Sequence, residues 1–537
     1  NSMLKTEIEG LKSSGSAFPI IFFIIASAII YIMMGRMIEN QRKQIGVLKA
    51  FGFTDMQILS HYLSYSIIVA VFGSLTGSVL GMYLSDGLTK LENMYFNLPL
   101  GDMRIYGDLT IPSSLMVLFF CLLAGYNSCK TVFKIMPGEA MRPKAPKAGK
   151  KVFIERIDFL WNRISDMWKM IIRNMLRYKR RSLMISMGVV FSMILLMIAF
   201  GMMDTINFMV EQQYKNIQNY DIKVSFSKLL NMDEINTIKN IPHIVKMEPV
   251  LETGVEISNG WKKKNVGFTA LIRDPQIYRV TDDKGNALKL PKKGIMIPQK
   301  LADSLGLKKY DTAYIKPYFP EKEKRQVPIA GIAAQYIGLN VYSSMDSVNY
   351  IFGEGTMANA AVFKLDDDAF EEYVKDKLKD MPAVNSVQSK SDSLNALMKN
   401  MGVMASSMGI FIVLAAVLSI AVLYNITTIN IFERQRELAT LKVLGFKDSE
   451  IKRLIFYENY LITIIGIVIA LPLGKWIGEY IISSQADTDS YSFQFILKFK
   501  TYVLSIVLTF VFTAITNFVL MRKIKSIDMV ETLKSGE

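Results

Sequence analysis

The sequence has almost nothing with which to hold a metal or staple itself together. Its 537 residues include two cysteines and two histidines. Cys121 lies inside an apolar run and Cys129 just past it, which excludes a disulfide framework and a Cys/His metal site. No G-x-x-x-x-G-K-[ST] stretch occurs, and GSLTGSVLG at 73–81 lacks the lysine, so the chain itself is not expected to cradle nucleotide phosphates. No basic n-region or small-residue cleavage site stands before the first apolar run, so no signal peptide is read there. Acidic residues are also short, 48 against 63 Lys plus Arg, for a net charge of +15. Such a balance suits nucleic acid or anionic lipid, and the placement of the charges decides for lipid and against nucleic acid.

The hydrophobic half of the chain is bunched into long uncharged runs rather than spread at the periods of a soluble core. Seven runs approach the roughly 20 helical residues that cross a bilayer: Phe18–Met34, Tyr62–Leu84, Ile111–Tyr126, Ser182–Met203, Ala405–Ile426, Tyr460–Ile482 and Thr501–Met521. The loops between them carry Lys and Arg unequally. One side holds 29 and the other 6, with 15 of them in 128–181 alone. By the positive-inside rule the C-terminus is cytoplasmic and the N-terminus outside. A start on the outer face implies an upstream span, so the chain is expected to be a fragment in which 1–17 ends an upstream external domain.

The long connection 204–400 then lies outside the membrane. Strand-like Tyr220–Phe226 and Val245–Ile257 bracket a helix at Asp233–Asn240. Ala360–Lys364, a helix at Asp367–Lys379 and Ala383–Gln388 repeat that order, which predicts an α+β domain. Gly294–Lys316 reads as strand, short helix, glycine turn and strand. An enzyme there is disfavoured, since His243 is the domain's only histidine and it has no cysteine.

A duplication runs through the membrane part. Leu48-Lys49-Ala50-Phe51-Gly52-Phe53-Thr54-Asp55 lies on Leu441-Lys442-Val443-Leu444-Gly445-Phe446-Lys447-Asp448 at a shift of 393. The same shift lays Gly73 on Gly466 and Gly81 on Gly474. Each copy holds a span into the cell, an amphipathic segment, a return span, a short outer loop and a last span, in one orientation. In the second copy Leu438, Leu441 and Leu444 fall on one side of the segment and Glu433, Arg436 and Glu437 open it. Gly445 and Gly52 suit left-handed C-caps, with Asp448 and Asp55 capping the helices that follow. Gly73, Gly77 and Gly81, four apart, read as helix-packing contacts, as do Gly466 and Gly474. Lys475 and Glu479, four apart near the outer end of the sixth span, are expected to pair or to snorkel, and no polar path through the membrane is visible.

At these segments the chain resembles the FtsX-like permeases of ABC transporters, the MacB and LolC–LolE type. The shared pattern is E-x-x-R-E-[IL]-[AG]-x-L-K-x-x-G after an inward span, which 433–445 matches closely. The first copy departs from it with Asn40 and Gln44 in place of Glu433 and Glu437. Met167–Leu183 resembles the basic amphipathic helix that leads into the first span of this family. The resemblance implies a helical membrane bundle, seven spans here and eight in a full chain, with an extracytoplasmic α+β domain. It divides the chain into a first permease unit at 18–145 with coupling loop 35–61, a basic linker with its helix at 146–181, a span at 182–203, the external domain at 204–400, and a second unit at 401–537 with coupling loop 427–459.

It also implies that the loops dock a separate cytoplasmic ATPase dimer, which binds the ATP and magnesium while this chain holds no cofactor and no catalytic residue. The residues carried over are Glu433, Arg436, Glu437, Lys442, Gly445 and Phe446 in one loop and Lys43, Lys49, Gly52 and Phe53 in the other. The expected role is a permease of the bacterial cell membrane that exports or extracts an amphiphile: peptide, lipoprotein, lipid or antibiotic. The alternative is a transmembrane signal transmitter acting on an external partner such as a cell-wall hydrolase.

Overall fold

The computed structural model describes residues 22–96, 107–140, 158–177, 179–238, 241–283, 285–318, 323–336, 338–353, 357–433, 435–484 and 494–525. The chain divides into two compact units. One holds 203–404 and 482–496, and the other the remaining helices.

The helical unit follows the apolar runs. Its first repeat comprises α1 (Phe22–Asn40), α2 (Arg42–Ala50), α3 (Asp55–Phe96) and α4 (Gly107–Cys129), then a one-turn α5 (Pro137–Ala140). After the one-turn α6 (Asp158–Trp161), α7 (Asp166–Arg177) lays Trp168 on Tyr457 with ring centroids 5.4 Å apart and leads into α8 (Lys179–Glu211). Among the described residues six helices are long and apolar enough to cross a membrane: Phe22–Asn40, Asp55–Lys90, Gly107–Cys129, Ile185–Ile217, Asp448–Ser483 and Phe499–Leu520. The seventh expected span is represented by a shorter apolar stretch, Gly409–Asn425. The third run, short by its apolar residues alone, gains length because helix continues through Gly107–Leu109 and Asn127–Cys129.

The inserted domain begins as expected. β1 (Ile222–Asn231), α9 (Met232–Ile238) and β2 (Ile244–Asn259) form the first β-α-β unit. β3 (Lys262–Leu271), β4 (Ile295–Pro298), α10 (Gln299–Leu305), β5 (Thr312–Pro317), β6 (Arg325–Ala333), β7 (Asn340–Ser344) and α11 (Met345–Phe352) follow. β8 (Met357–Leu365), α12 (Glu371–Lys379) and β9 (Val384–Ser389) close the second unit. The strand order is β3-β7-β4-β6-β5-β2-β8-β1-β9, with β2 also paired to β3.

That extra pairing closes β2, β3, β7, β4, β6 and β5 into a ring. The order β2-β8-β1-β9 is a split β-α-β layer with α9 and α12 as its helices. β2 serves both parts: Ile244–Val250 bonds β8, and Leu251–Asn259 bonds β3. Alternation buries Ile222, Val224 and Phe226 of β1 with Phe363 of β8 and Val374 and Leu378 of α12. Gly306 ends α10 at φ 67, as the glycine turn in 294–316 predicted. Asp367 accepts the Ala369 amide at 2.9 Å, a helix-start role rather than an acid–base one.

The domain's buried carboxylates are also structural. Glu248 accepts the Gln276 amide at 2.7 Å and the Tyr278 amide at 3.2 Å. Asp221 accepts from Lys364 Nζ at 2.6 Å and the Leu365 amide at 2.9 Å. His243 stacks on Phe370 and bonds Asp366. Among the described residues no group of side chains is arranged to hold a metal.

The second helical repeat is α13 (Lys390–Glu433), α14 (Gln435–Val443), α15 (Asp448–Ser484) and α16 (Phe499–Lys525). Here the seam between α15 and α16 is polar without carrying a charge. Asn459 Nδ2 donates to Asn517 Oδ1 at 2.8 Å, and Thr463 and Thr513 meet at 3.4 Å, all four buried. Charge was the wrong thing to look for, because this seam is made of amides and hydroxyls. Its threonines return their hydroxyls to their own helix, Thr509 to Ser505 O at 2.7 Å and Thr513 to Thr509 O at 2.9 Å, so the row is a packing surface.

Candidate coupling site

The two loops expected to carry function repeat each other bond for bond. In the first, the Gly52 amide bonds Lys49 O at 3.0 Å and the Phe53 amide bonds Leu48 O at 3.1 Å, with Gly52 at φ 89. In the second, Gly445 bonds Lys442 O at 3.0 Å and Phe446 bonds Leu441 O at 3.1 Å, with Gly445 at φ 92. This is a Schellman close, and the left-handed residue is glycine because a Cβ there crowds the carbonyl.

The next helices are capped differently from the expectation. Thr54 and Gln57 form a capping box, Thr54 amide to Gln57 Oε1 at 2.9 Å and Gln57 amide to Thr54 Oγ1 at 3.4 Å. In the second loop Glu450 accepts the Lys447 amide at 2.9 Å. Asp55 and Asp448 are thereby released from capping and pair with lysines instead.

Those lysines are Lys49 and Lys442, whose side chains are largely covered. Lys49 Nζ donates to Val132 O and Ile135 O, each at 2.8 Å, and meets Asp55 at 2.6 Å. Its side chain is 10% exposed, so the charge binds α2 to the chain that leaves α4. Lys442 meets Asp448 at 3.1 Å.

The inner faces of the loops match as well. Ile45 and Gly46 of α2 are buried, and a Cβ on Gly46 would stand 2.5 Å from Ala140 Cβ, which makes α5 the floor of the first loop. Leu438 and Ala439 occupy the corresponding places, Leu438 clustering with Ile451 and Ile455. Leu444 is not on that face. α14 ends at Val443, one residue too early, and the turn throws Leu444 outward to 70% exposure.

What the loops present outward is apolar. Phe51, the counterpart of Leu444, is 78% exposed, and Phe53 and Phe446 are exposed beside them. Met56 in one loop and Val443 in the other extend the two tips. Sequence reasoning singled out Phe53 and Phe446 and passed over Phe51 and Leu444, which are exposed with them. The signal was there, since the residue just before a C-cap glycine lies past the last buried turn. Lys43 is exposed on α2. Glu433 ends α13 and Arg436 and Glu437 open α14, while their side chains lie outside the described ones.

The expected glycine contacts divide by repeat. A Cβ on Gly466 would lie 2.7 Å from Val189 Cβ, and one on Gly474 would lie 2.8 Å from Met197 Sδ. At Gly73, Gly77 and Gly81 nothing lies within 4 Å, so within the described residues these three make no packing contact. The first repeat has its close approach elsewhere, where a Cβ on Gly125 would collide with Ser66. Lys475 and Glu479 pair at 3.8 Å, as expected.

Two like-oriented copies of a three-span unit, each with a glycine-closed loop after its first span, define a duplicated membrane permease architecture. The family model described as FtsX-like permease C-terminal matches residues 16–137 and again 409–529, so the chain belongs to the FtsX-like permeases, whose unit it carries twice. No curated protein matches the chain. Among solved structures, the chain is similar to the extracellular domain of the noncanonic ABC-type transporter YknZ from Gram-positive bacteria. That likeness has 10% identity and a TM-score of 0.24, over 32% of this chain and 99% of that one. It is also similar to the periplasmic region of MacB from Actinobacillus actinomycetemcomitans. There the identity is 13% and the TM-score 0.25, over 36% of this chain and 98% of that one.

Proposed function

We propose that this permease is the membrane subunit of an ABC system, and that its two glycine-closed loops receive a separate cytoplasmic ATPase. The observation that carries this is the matched pair of apolar tips, Phe51 with Phe53 and Leu444 with Phe446, held by identical hydrogen bonds at equivalent positions of the repeats. Exposed aromatics on a rigid turn are the kind of anchor that fills a pocket on a partner. The excess of Lys and Arg on the same loops puts them inside the cell. Hydrolysis in the partner then drives the loops, the spans carry the movement, and the inserted domain acts outside on an amphiphile, exporting or extracting it.

The test is purification of the full gene product from its native membrane in mild detergent, followed by mass spectrometry and an ATPase assay. A stoichiometric nucleotide-binding subunit is expected. Phe51→Ala combined with Leu444→Ala should lower its retention by about tenfold or more, the loss of a buried anchor at each site. An unchanged complex would move the docking surface off these tips, and absence of any ATPase would end the transport reading.

A further inference from the structure

The two parts of the inserted domain carry opposite charge. Residues 251–353, which hold the ring, have 16 Lys and Arg against 10 Asp and Glu, while 221–250 with 354–390, which hold the split layer, have 9 against 12. Five of the ring's lysines fall in two short turns that contain no acid: Lys262, Lys263 and Lys264 in 260–264, and Lys308 and Lys309 in 306–310. The turns are neighbours. Asn259 Nδ2 donates to Leu305 O at 3.1 Å, and Lys262 Nζ lies 3.7 Å from a Cβ on Gly306.

Each turn also displays an aromatic ring that the core does not use. Trp261 is the second residue of the two-residue turn between β2 and β3, after Gly260 at φ 59, and is 86% exposed. Tyr310 is 78% exposed and sits at φ 77, a left-handed backbone that suits glycine or asparagine and disfavours a bulky side chain. Its amide on Ile329 O and the Ile329 amide on Asp311 O, both at 2.8 Å, hold it there. In both turns a lysine lies over the ring, Lys262 Nζ 5.9 Å from the Trp261 centroid and Lys309 Nζ 4.9 Å from that of Tyr310. Cation–π attraction steadies these ammonium groups, and Glu256 steadies Lys263 at 3.5 Å, so the charges form a fixed array.

The array stands away from both chain connections of the domain. Asp221, where the chain enters, accepts the amide of Lys390, where it leaves, and its carboxylate bonds Leu365, the partner of Ile244 at the start of β2. The array is at the other end of β2, about 50 Å along the strand at about 3.3 Å per residue. That placement sets aside a lipid surface as its occupant. The side chains point to the chemistry. All five cations are lysine, whose compact charge meets phosphate oxygens from any direction and lacks the planar fork with which arginine grips a carboxylate. Charges spread over two neighbouring turns suit a chain laid across both.

We propose that this array binds a linear phosphodiester polyanion of the cell envelope, a polyol- or sugar-phosphate chain, through its phosphates. The assignment stands whether or not the ATPase reading holds.

The full gene product in mild detergent is titrated with poly(glycerol phosphate) at several salt concentrations. Contacts from the five lysines should give log affinity a slope against log salt between about −3.5 and −4.5. Lys262→Gln, Lys263→Gln and Lys264→Gln together should flatten it by about 2 to 3, and Lys308→Gln with Lys309→Gln, on the other turn, by about 1.5 to 2. Lys377→Gln with Lys379→Gln on α12 should leave it unchanged. Unaltered slopes in both turn variants overturn the proposal, as does polyglutamate of equal charge bound as tightly. The source of the polymer is read from retention of the purified protein on its own isolated cell envelope, which should survive nuclease and vanish once hydrofluoric acid has cleaved the phosphodiesters. No retention, retention lost to nuclease, or retention that outlasts the acid overturns the proposal as well.

Discussion

The first and second repeats agree in the loop and disagree in the span after it. Both loops close on a left-handed glycine with the same two hydrogen bonds, and both turn a large apolar side chain outward just before it. The spans are different surfaces. α15 is half sunk, receiving α8 on one row and α16 through an amide pair, Asn459 with Asn517, on its polar seam. α3 meets α4 through the close approach of Gly125 to Ser66, and no described residue packs on its glycine row. The duplicated sequence thus preserves the geometry of the loop. It lets drift how each copy is packed, because any good packing will serve there.

The comparison is broken most sharply by the same change on the two rows. Gly466→Leu drives a side chain into Val189 and should cost about 3 kcal/mol or show as loss of folded yield in fluorescence-detected gel filtration. Gly73→Leu should stay within about 0.5 kcal/mol, having nothing to strike among the described residues.

Next in size is the lysine that ties loop to tail. Lys49→Met strands Asp55 and two carbonyls and should cost about 2 kcal/mol, read as a lower melting temperature of the detergent-purified protein. Lys442→Met should shift it in the same direction, and an equal shift would show that the second tail supplies carbonyls as the first does.

Gly52→Ala and Gly445→Ala place a Cβ at φ 89 and φ 92 and should each cost about 1–2 kcal/mol. Equal losses preserve the likeness of the loops, whereas a loss confined to one would break it. The smallest stability effects belong to the tips. Phe51→Ala and Leu444→Ala are exposed changes worth less than about 0.5 kcal/mol, so any fall in partner binding reports contact rather than folding.

Much of this was legible because it rests on local chemistry. The β-α-β units around Asp233–Asn240 and Asp367–Lys379, the turn at Gly306 and the duplicated glycine caps follow from patterns within about twenty residues of each other. The ring closed by β2 and β3 did not show, since its closure depends on β7 lying parallel to β3 across a long insertion. The covered position of Lys49 stayed hidden for a related reason. A cation on an amphipathic helix looks solvated until the Val132 and Ile135 carbonyls arrive from another part of the chain. Exposure at Phe51 and Leu444 turned on one residue of helix length, which periodicity does not resolve.

The shared strand β2 has a mechanical meaning. Its first half is bonded across to β8 and its second half to β3 and β5, so a pull along the strand loads those ladders lengthwise. Ladders loaded this way must slip as a row and cannot open one bond at a time. The ring and the layer of the inserted domain therefore transmit tension as a single stiff piece, with the strand as its spine.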